Sequence, residues 1–378
     1  PSELAQEAID VLDGLEETVE LGRAIANLAG LRMVARADTE AVALAERAHA
    51  IGERFGDTWT TANALITKGT ALRNLSQGGR AEGKALMTRG LELAKEAGLA
   101  EVALRAYNNL VIGADIEPAE RDRVLAEGIE YAERHGIEQP MLLASRAFDA
   151  FLRGDWDESL AVGERVPEGS FWHDGMVVAT RINIALGRQG PGAALPMARR
   201  SAEKASRGTE AQRTVLPLAQ MVFVAAMAEE RAECETWMRE LRGRAERDPG
   251  VLRLLAQGPV HLAAGAAAYL GDRGLVDLLG PAVPADEDGE GPRLLLAAAS
   301  AFFARDAAEC GRATTRYNEF MQSKRFGYRP SPLLFARELR RAGVPLGPEW
   351  REPLARMRDH LERARADWLL AELAKIEA

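Results

Sequence analysis

Three stretches spelled in nearly the same words constrain this 378-residue chain more than anything else in it. Aligned on their last glycine, residues 47–56, 89–98 and 127–136 carry a small residue eight places earlier: Ala48, Gly90 and Gly128. They carry a bulky apolar residue five places earlier, Ile51, Leu93 and Tyr131, and a small one four places earlier, Gly52, Ala94 and Ala132. These offsets put all three positions on one face of a helix, and the closing glycine suits a left-handed C-cap. A helix that recurs with one apolar face is a repeat unit that must bury that face on its neighbours.

Breaks recur along the whole chain in two interleaved series. One runs through Ala37, Gly78, Glu117, Gly154, Gln189, Ala228, Asp272, Arg305 and Ala342, at steps of roughly 33 to 44 residues. The other runs through Gly56, Gly98, Gly136, Pro167, Gly208, Pro249, a loop over 286–291, and Phe326. Two such series describe about nine helical hairpins. Asp38, Asp57 and Asp155 stand where an N-cap carboxylate accepts from first-turn amides, and Pro118 and Pro353 suit a first helical turn. No alternating β-branched run is long enough to be a strand, so the chain is expected to be all-α.

The expected organisation is a partial capping helix within 1–16, at about 3–12, followed by repeats over 17–280 that are regular to about 165 and degenerate after it. An acidic Pro/Gly loop follows over 281–292, and 293–378 holds the final repeats. A long last helix is expected over 349–376, with Leu354, Met357, Leu361, Ala364 and Trp368 on one stripe, as a terminal cap. The chain opens at Pro1 with no initiator Met, and its first helix has no partner before it. A longer parent protein is therefore expected.

Hydrophobic residues make up 47% and charged residues 28%, a globular balance, whereas aromatics are only 6% and Ala supplies much of the apolar share. Net charge is −9, the wrong sign for a surface that binds phosphate, so direct nucleic-acid binding is not expected. No long uncharged apolar run and no signal-like segment are present, and a cytoplasmic location is expected. Cys234 and Cys310 form no C-x-x-C pair and read as buried thiols.

Catalytic constellations are thin. No phosphate-binding loop motif occurs, and the glycine cluster at 187–192 lacks the Lys and contains Pro191, so it reads as a turn. His49, His135, His173, His261 and His360 have no metal-ligand spacing. The pair His173 and Asp174 reads as a loop or helix start capped by Asp174. Asp286, Glu287, Asp288 and Glu290 lack the spacing of a calcium loop and read as a solvated acidic loop. Trp59, Trp156 and Trp172 read as packing between repeats. No enzyme activity, cofactor or metal is expected.

The repeats resemble tetratricopeptide repeats (TPR). Gly83 and Gly90 stand seven apart, as that family's paired small positions do, with Met87 between them, and Ala41 and Ala48 have the same separation. Leu65, Gly69 and Leu72 are similar to the bulky, small and bulky sites of its first helix. Asn27-Leu28 and Asn109-Leu110 are similar to its frequent Asn-Leu pair. Most steps are longer than the family's, Arg121 stands where a small residue is usual, and few consensus residues remain after Gly187. Residues 103–110, 127–136 and 154–160 further resemble the C-terminal helical array of large bacterial, especially actinobacterial, regulators. In these an ATPase module of the signal-transduction type precedes the repeats, and a LuxR-type or cyclase-type domain accompanies it.

That resemblance, clear over roughly 20–165, implies a right-handed all-α solenoid of helical hairpins whose first helices line a groove. The groove positions it implies are Asn63, Arg73, Asn74, Arg105 and Asn108. It implies a non-catalytic sensor or coupling arm that binds a protein or peptide segment, including its own upstream ATPase domain, or a small effector. The alternatives are a free-standing protein scaffold and an α/α-toroid enzyme, which would place acids and aromatics around a central pocket.

Overall fold

The structure is a computed structural model that describes residues 6–7, 10–11, 17–75, 78–111, 116–208, 210–285, 289–323 and 331–378. Among them regular structure is entirely helical, with 20 α-helices. The expected opening helix at 3–12 lies mostly outside the described residues, as do most of Asp286, Glu287, Asp288 and Glu290 and the break at Phe326. Among the described residues no helix is long and apolar enough to cross a membrane. The chain is an all-α helical solenoid that divides into two compact units, Pro1–Leu142 and Leu143–Ala378.

Unit 1 contains α1 (Val19–Val34), α2 (Asp38–Phe55), α3 (Thr58–Leu75), α4 (Gly79–Glu96), α5 (Ala100–Val111) and α6 (Pro118–His135). Each helix packs on the next, and α1, α3 and α5 also touch in succession, so the first members of the hairpins form one row. The small positions lie where helices cross. A Cβ added to Gly69 of α3 would lie 2.4 Å from the carbonyl oxygen of Gly83 in α4, and one added to Gly83 would lie 2.4 Å from that of Gly69. At Gly90 it would lie 2.7 Å from Ile66, and at Gly128 3.0 Å from the ring of Tyr107. The small residues are therefore close-contact points, backbone on backbone at Gly69 and Gly83 and backbone on side chain at Gly90 and Gly128, rather than weak spots in helices.

The repeated glycines close their helices as expected. Gly56, Gly98 and Gly136 have φ of 64°, 67° and 65°, and the amides after them, of Asp57, Leu99 and Ile137, reach back to the carbonyls of Gly52, Ala94 and Ala132. That is the Schellman bond pattern. Of the three expected N-caps only Asp57 caps through its side chain, accepting from the Thr60 amide at 3.2 Å while Arg23 grips it at 2.8 Å. Asp38 is instead the first residue of α2 and buried, and Asp155 makes no side-chain cap but pairs with Arg153 at 3.3 Å. In both turns the residue before the helix is set by the tight hairpin geometry, which leaves the carboxylate aimed elsewhere.

Unit 2 runs from α7 (Pro140–Arg153), of which it holds the part after Leu142, through α8 (Trp156–Gly163), a π-helical turn His173–Val177, α9 (Val178–Gln189), α10 (Pro191–Ser206), α11 (Ala211–Met227) and α12 (Arg231–Arg247). It continues through α13 (Pro249–Gln257), α14 (Val260–Leu270), α15 (Arg273–Leu279), α16 (Glu290–Phe303), α17 (Ala307–Ser323), α18 (Ser331–Arg341), α19 (Arg351–Arg363) and α20 (Asp367–Glu377). Helix α16 already begins at Glu290, so Gly291 and Pro292, expected in the loop, form its first turn. Pro suits that turn because its missing N–H would have no partner there.

The expected single helix over 349–376 is divided. A 3-10 turn Pro348–Trp350 leads into α19, and α20 starts afresh after Arg365 adopts φ 52°. No Gly or Pro marks this break. What marks it is a repeated turn: Arg36, Gly154, Glu229, Gly271, Arg305, Gly343 and Arg365 all have positive φ between consecutive helices. In each case the next residue's amide bonds back across the turn, as Ala37 does to Arg32 and Ala366 to Leu361. Arg365-Ala366-Asp367 repeats Arg36-Ala37-Asp38 letter for letter.

The break lets α20 turn back. It packs on α9 and α18, α18 packs on α14, α14 on α11 and α11 on α9, so this row of helices returns to its start. Arg188 of α9 donates to the Ala364 carbonyl at 3.3 Å, and Arg337 of α18 donates to that of Ala226 at 2.9 Å. The enclosed space is filled. Residues 217–227 of α11 and 260–268 of α14 are all buried, most of them within one apolar cluster, with Gln220 and His261 as the polar exceptions. An acidic central pocket of the toroid kind has no room there.

Two outcomes test this packing. Gly69→Ala should lower stability by about 1–3 kcal/mol, because a methyl group cannot enter a backbone contact without separating α3 from α4. Exposed Arg305 holds a left-handed conformation that glycine adopts freely, so Arg305→Gly should stabilise by up to about 1 kcal/mol. Both are read as shifts in urea midpoint by circular dichroism.

Candidate functional site

Helix α3 carries Asn63, Thr67, Thr70 and Asn74 at spacings of four, three and four, which align them on one face. That face meets α5, and it forms a hydrogen-bonded seam. Asn63 donates from Nδ2 to the Trp59 carbonyl at 3.0 Å, which fixes its amide and turns Oδ1 toward α5. Arg105 then donates from Nη1 to Asn63 Oδ1 at 2.9 Å and from Nη2 to Thr67 Oγ1 at 2.7 Å. One turn on, Asn109 donates to Thr70 Oγ1 at 3.1 Å while Arg73 donates to the Asn109 carbonyl at 2.8 Å.

Of the five groove residues expected from the sequence, the structure brings Asn63 and Arg105 into direct contact and puts Arg73 in the same seam. It takes the others elsewhere. Asn74 donates to Asp38 Oδ1 at 2.9 Å, tying α3 to α2, and Asn108 donates to Gln139 Oε1 at 3.3 Å while its own Oδ1 is buried without a partner. Thr67, Thr70 and the side chain of Asn109 complete the seam and were not singled out. The regular spacing of polar residues along α3 was the signal that would have found them.

Arg105 is the electrostatic focus. It is half-buried, its acceptors are a neutral amide and a hydroxyl, and among the described residues no carboxylate pairs with it. Burial lowers its pKa to about 10, which still leaves it charged at neutral pH. Gly30 of α1 stands beside it: a Cβ there would lie 3.6 Å from Arg105 Nη2, an ordinary contact distance. The cation therefore lies across all three first helices of unit 1.

Arg73 also borders a cavity of about 210 Å³ among α3 to α6, with Met87 and Tyr107 on its wall. Its rim is tied by Lys84 to Glu120 at 2.6 Å and Arg123 to Glu127 at 2.7 Å. It is smaller than the roughly 300 Å³ at which small-molecule pockets begin. Among the described residues no group of three or more His, Cys, Asp or Glu is placed to hold a metal. Burial pushes the Cys234 and Cys310 thiols up to about 12, which keeps them protonated and unreactive.

The glycine cluster at 187–192, expected as a longer turn, is mostly helical: Gly187 lies in the last turn of α9 and Gly192 in the first turn of α10, and only Gly190, with φ of 86°, stands between them. A Cβ on Gly187 would strike Trp156 at 2.4 Å, and one on Gly190 would strike Trp368 at 2.7 Å. Trp156 itself is buried and stacked on Phe151 at 5.6 Å, while Trp59 and Trp172 pack at the edges of smaller apolar clusters. His173 and Asp174 sit in the π-helical turn, where the hydroxyl of Ser170, not Asp174, accepts from the first amide.

No family model matches the chain, and no curated protein matches it significantly. Among solved structures 17 chains match. One of them is described as a circular tandem repeat protein with novel repeat topology and enhanced subunit contact surfaces. It is 17% identical, with 99% of this chain and 87% of that one covered and a TM-score of 0.23.

If Arg105 is what joins α5 to α3, Arg105→Ala should lower stability by about 2 kcal/mol, since it strips charged hydrogen bonds from Asn63 and Thr67. Denaturant unfolding measures this. An unchanged midpoint would show that the seam holds without it.

Proposed function

We propose that this chain is a non-catalytic, TPR-like binding arm of a cytoplasmic bacterial signalling or transcriptional regulator. It takes up a protein segment along the first-helix row of unit 1 and couples that occupancy to an attached ATPase or output domain. A helical repeat scaffold is compatible with such interaction roles, and the resemblance of residues 20–165 to regulator arrays supplies the context. The observation that carries the reading is Arg105: a half-buried cation, braced from two sides by neutral acceptors and lacking a carboxylate.

A carboxylate on an extended segment, at its C-terminus or on an acidic side chain, would supply the charge-assisted partner that the fold withholds. The action is stoichiometric. Binding shifts the balance between two states of the parent protein only by the difference in affinity for each.

A phage-displayed library of extended peptides with free C-termini tests this on the purified chain. Selected peptides should share one carboxylate at a fixed position, and Arg105→Gln, which keeps a hydrogen-bonding side chain but no charge, should weaken them at least tenfold with helical content unchanged. Peptides without a carboxylate that bind wild type and Arg105→Gln equally would refute the assignment.

A further inference from the structure

A cavity in unit 2 lies where the π-helical turn His173–Val177 meets α9, α10 and α11. Its volume is about 570 Å³, within the range of small-molecule sites. Phe171, Val178, Met197 and Pro217 form its apolar wall. Arg181, Arg200, Lys204 and Arg213 face it, against only two carboxylates, Glu168 and Asp174. A local excess of cations runs against the net charge of −9 of the chain.

Two of the four cations are already engaged. Lys204 pairs with Asp174 at 2.5 Å, and Arg213 pairs with Glu210 at 2.8 Å and covers the Phe171 ring at 5.2 Å. Arg181 and Arg200 have no hydrogen-bonded or ionic partner among the described residues.

A second, independent observation points the same way. His173 borders the cavity and is only 8% exposed; its Nδ1 lies 3.5 Å from Asp174 Oδ1, and its buried Nε2 has no partner at all. A buried polar atom left alone is costly, and this one belongs to a side chain that lines the cavity. The turn that carries it is π-helical, a widened form that recurs at functional sites.

We infer that this cavity is a binding site for a small amphiphilic anion, an organic acid with an apolar body. The acid group is met by Arg181 and Arg200, its body lies on Phe171, Val178 and Met197, and a polar atom of the ligand reaches His173 Nε2. The site is separate from the segment-binding face of unit 1, and neither assignment depends on the other.

Isothermal titration of the full chain with octanoate, 1-octanol and inorganic phosphate tests it. Octanoate should bind with a negative heat-capacity change, and 1-octanol and phosphate should each be at least tenfold weaker. The double variant Arg181→Gln/Arg200→Gln should lose octanoate affinity at least tenfold with its melting temperature kept. His173→Phe, which fills the same space without Nε2, gives a second readout if the double variant fails to fold, with octanoate again weakened. Octanol binding as well as octanoate would overturn the anionic requirement, and phosphate binding as well would overturn the apolar one. Absence of octanoate binding to the folded wild-type chain at millimolar concentration would overturn the site.

Discussion

Helices in this protein approach until backbone meets backbone, and the rest of the architecture depends on that contact. Gly69 and Gly83 leave each other's carbonyl oxygens no room for a methyl group, and Gly52 and Gly90 do the same against Thr61 and Ala62. With no side chain between them, two helices at such a crossing have one register and little freedom to slide. Unit 2 uses the same device, where Gly265 of the alanine-rich α14 lies against Ser331 and Leu334 of α18. A chain with 6% aromatic residues cannot hold its helices by bulk, and contact at short range replaces it.

Tight crossings need tight connections. The recurring link is one left-handed residue followed by one whose amide reaches back across the turn, and in most of them the next helix starts at the residue after that. Glycine adopts that conformation at no steric cost, yet four of these turns use Arg or Glu. The strain at each is on the order of 1 kcal/mol, small beside the burial it makes possible. At Arg365 that burial is Leu369, Leu373 and Ile376, which α20 brings into the core of unit 2.

Polar groups caught between close helices must be satisfied from within, and along the seam of α3 and α5 most of them are. The amides and hydroxyls of α3 and α5 pair with one another in a seam, which explains why residues expected to face a ligand mostly face a neighbouring helix. Among the described residues satisfaction is incomplete at several buried atoms, among them Asn108 Oδ1, both amide atoms of Gln220 and the Nε2 of His173, which lines a cavity with an unpaired Arg181 and Arg200, and Arg105 keeps its charge without a carboxylate.

What could be read from the letters alone were features set within a few residues. The helical class, the paired helices, the glycines that end α2, α4 and α6, the cap at Asp57 and the small positions at 83 and 90 all follow from spacings of three, four and seven. Even the division of the last helix was present locally, as a second Arg-Ala-Asp. What tertiary structure decided were pairings between positions far apart in the chain: Arg105 with Asn63, Asn74 with Asp38, Arg337 with Ala226, Arg188 with Ala364. A helix periodicity says which face is buried but not on what. Which helix α20 turns back to meet, and therefore that its row closes, depends on the summed shape of every crossing before it, and no single stretch of sequence carries that sum.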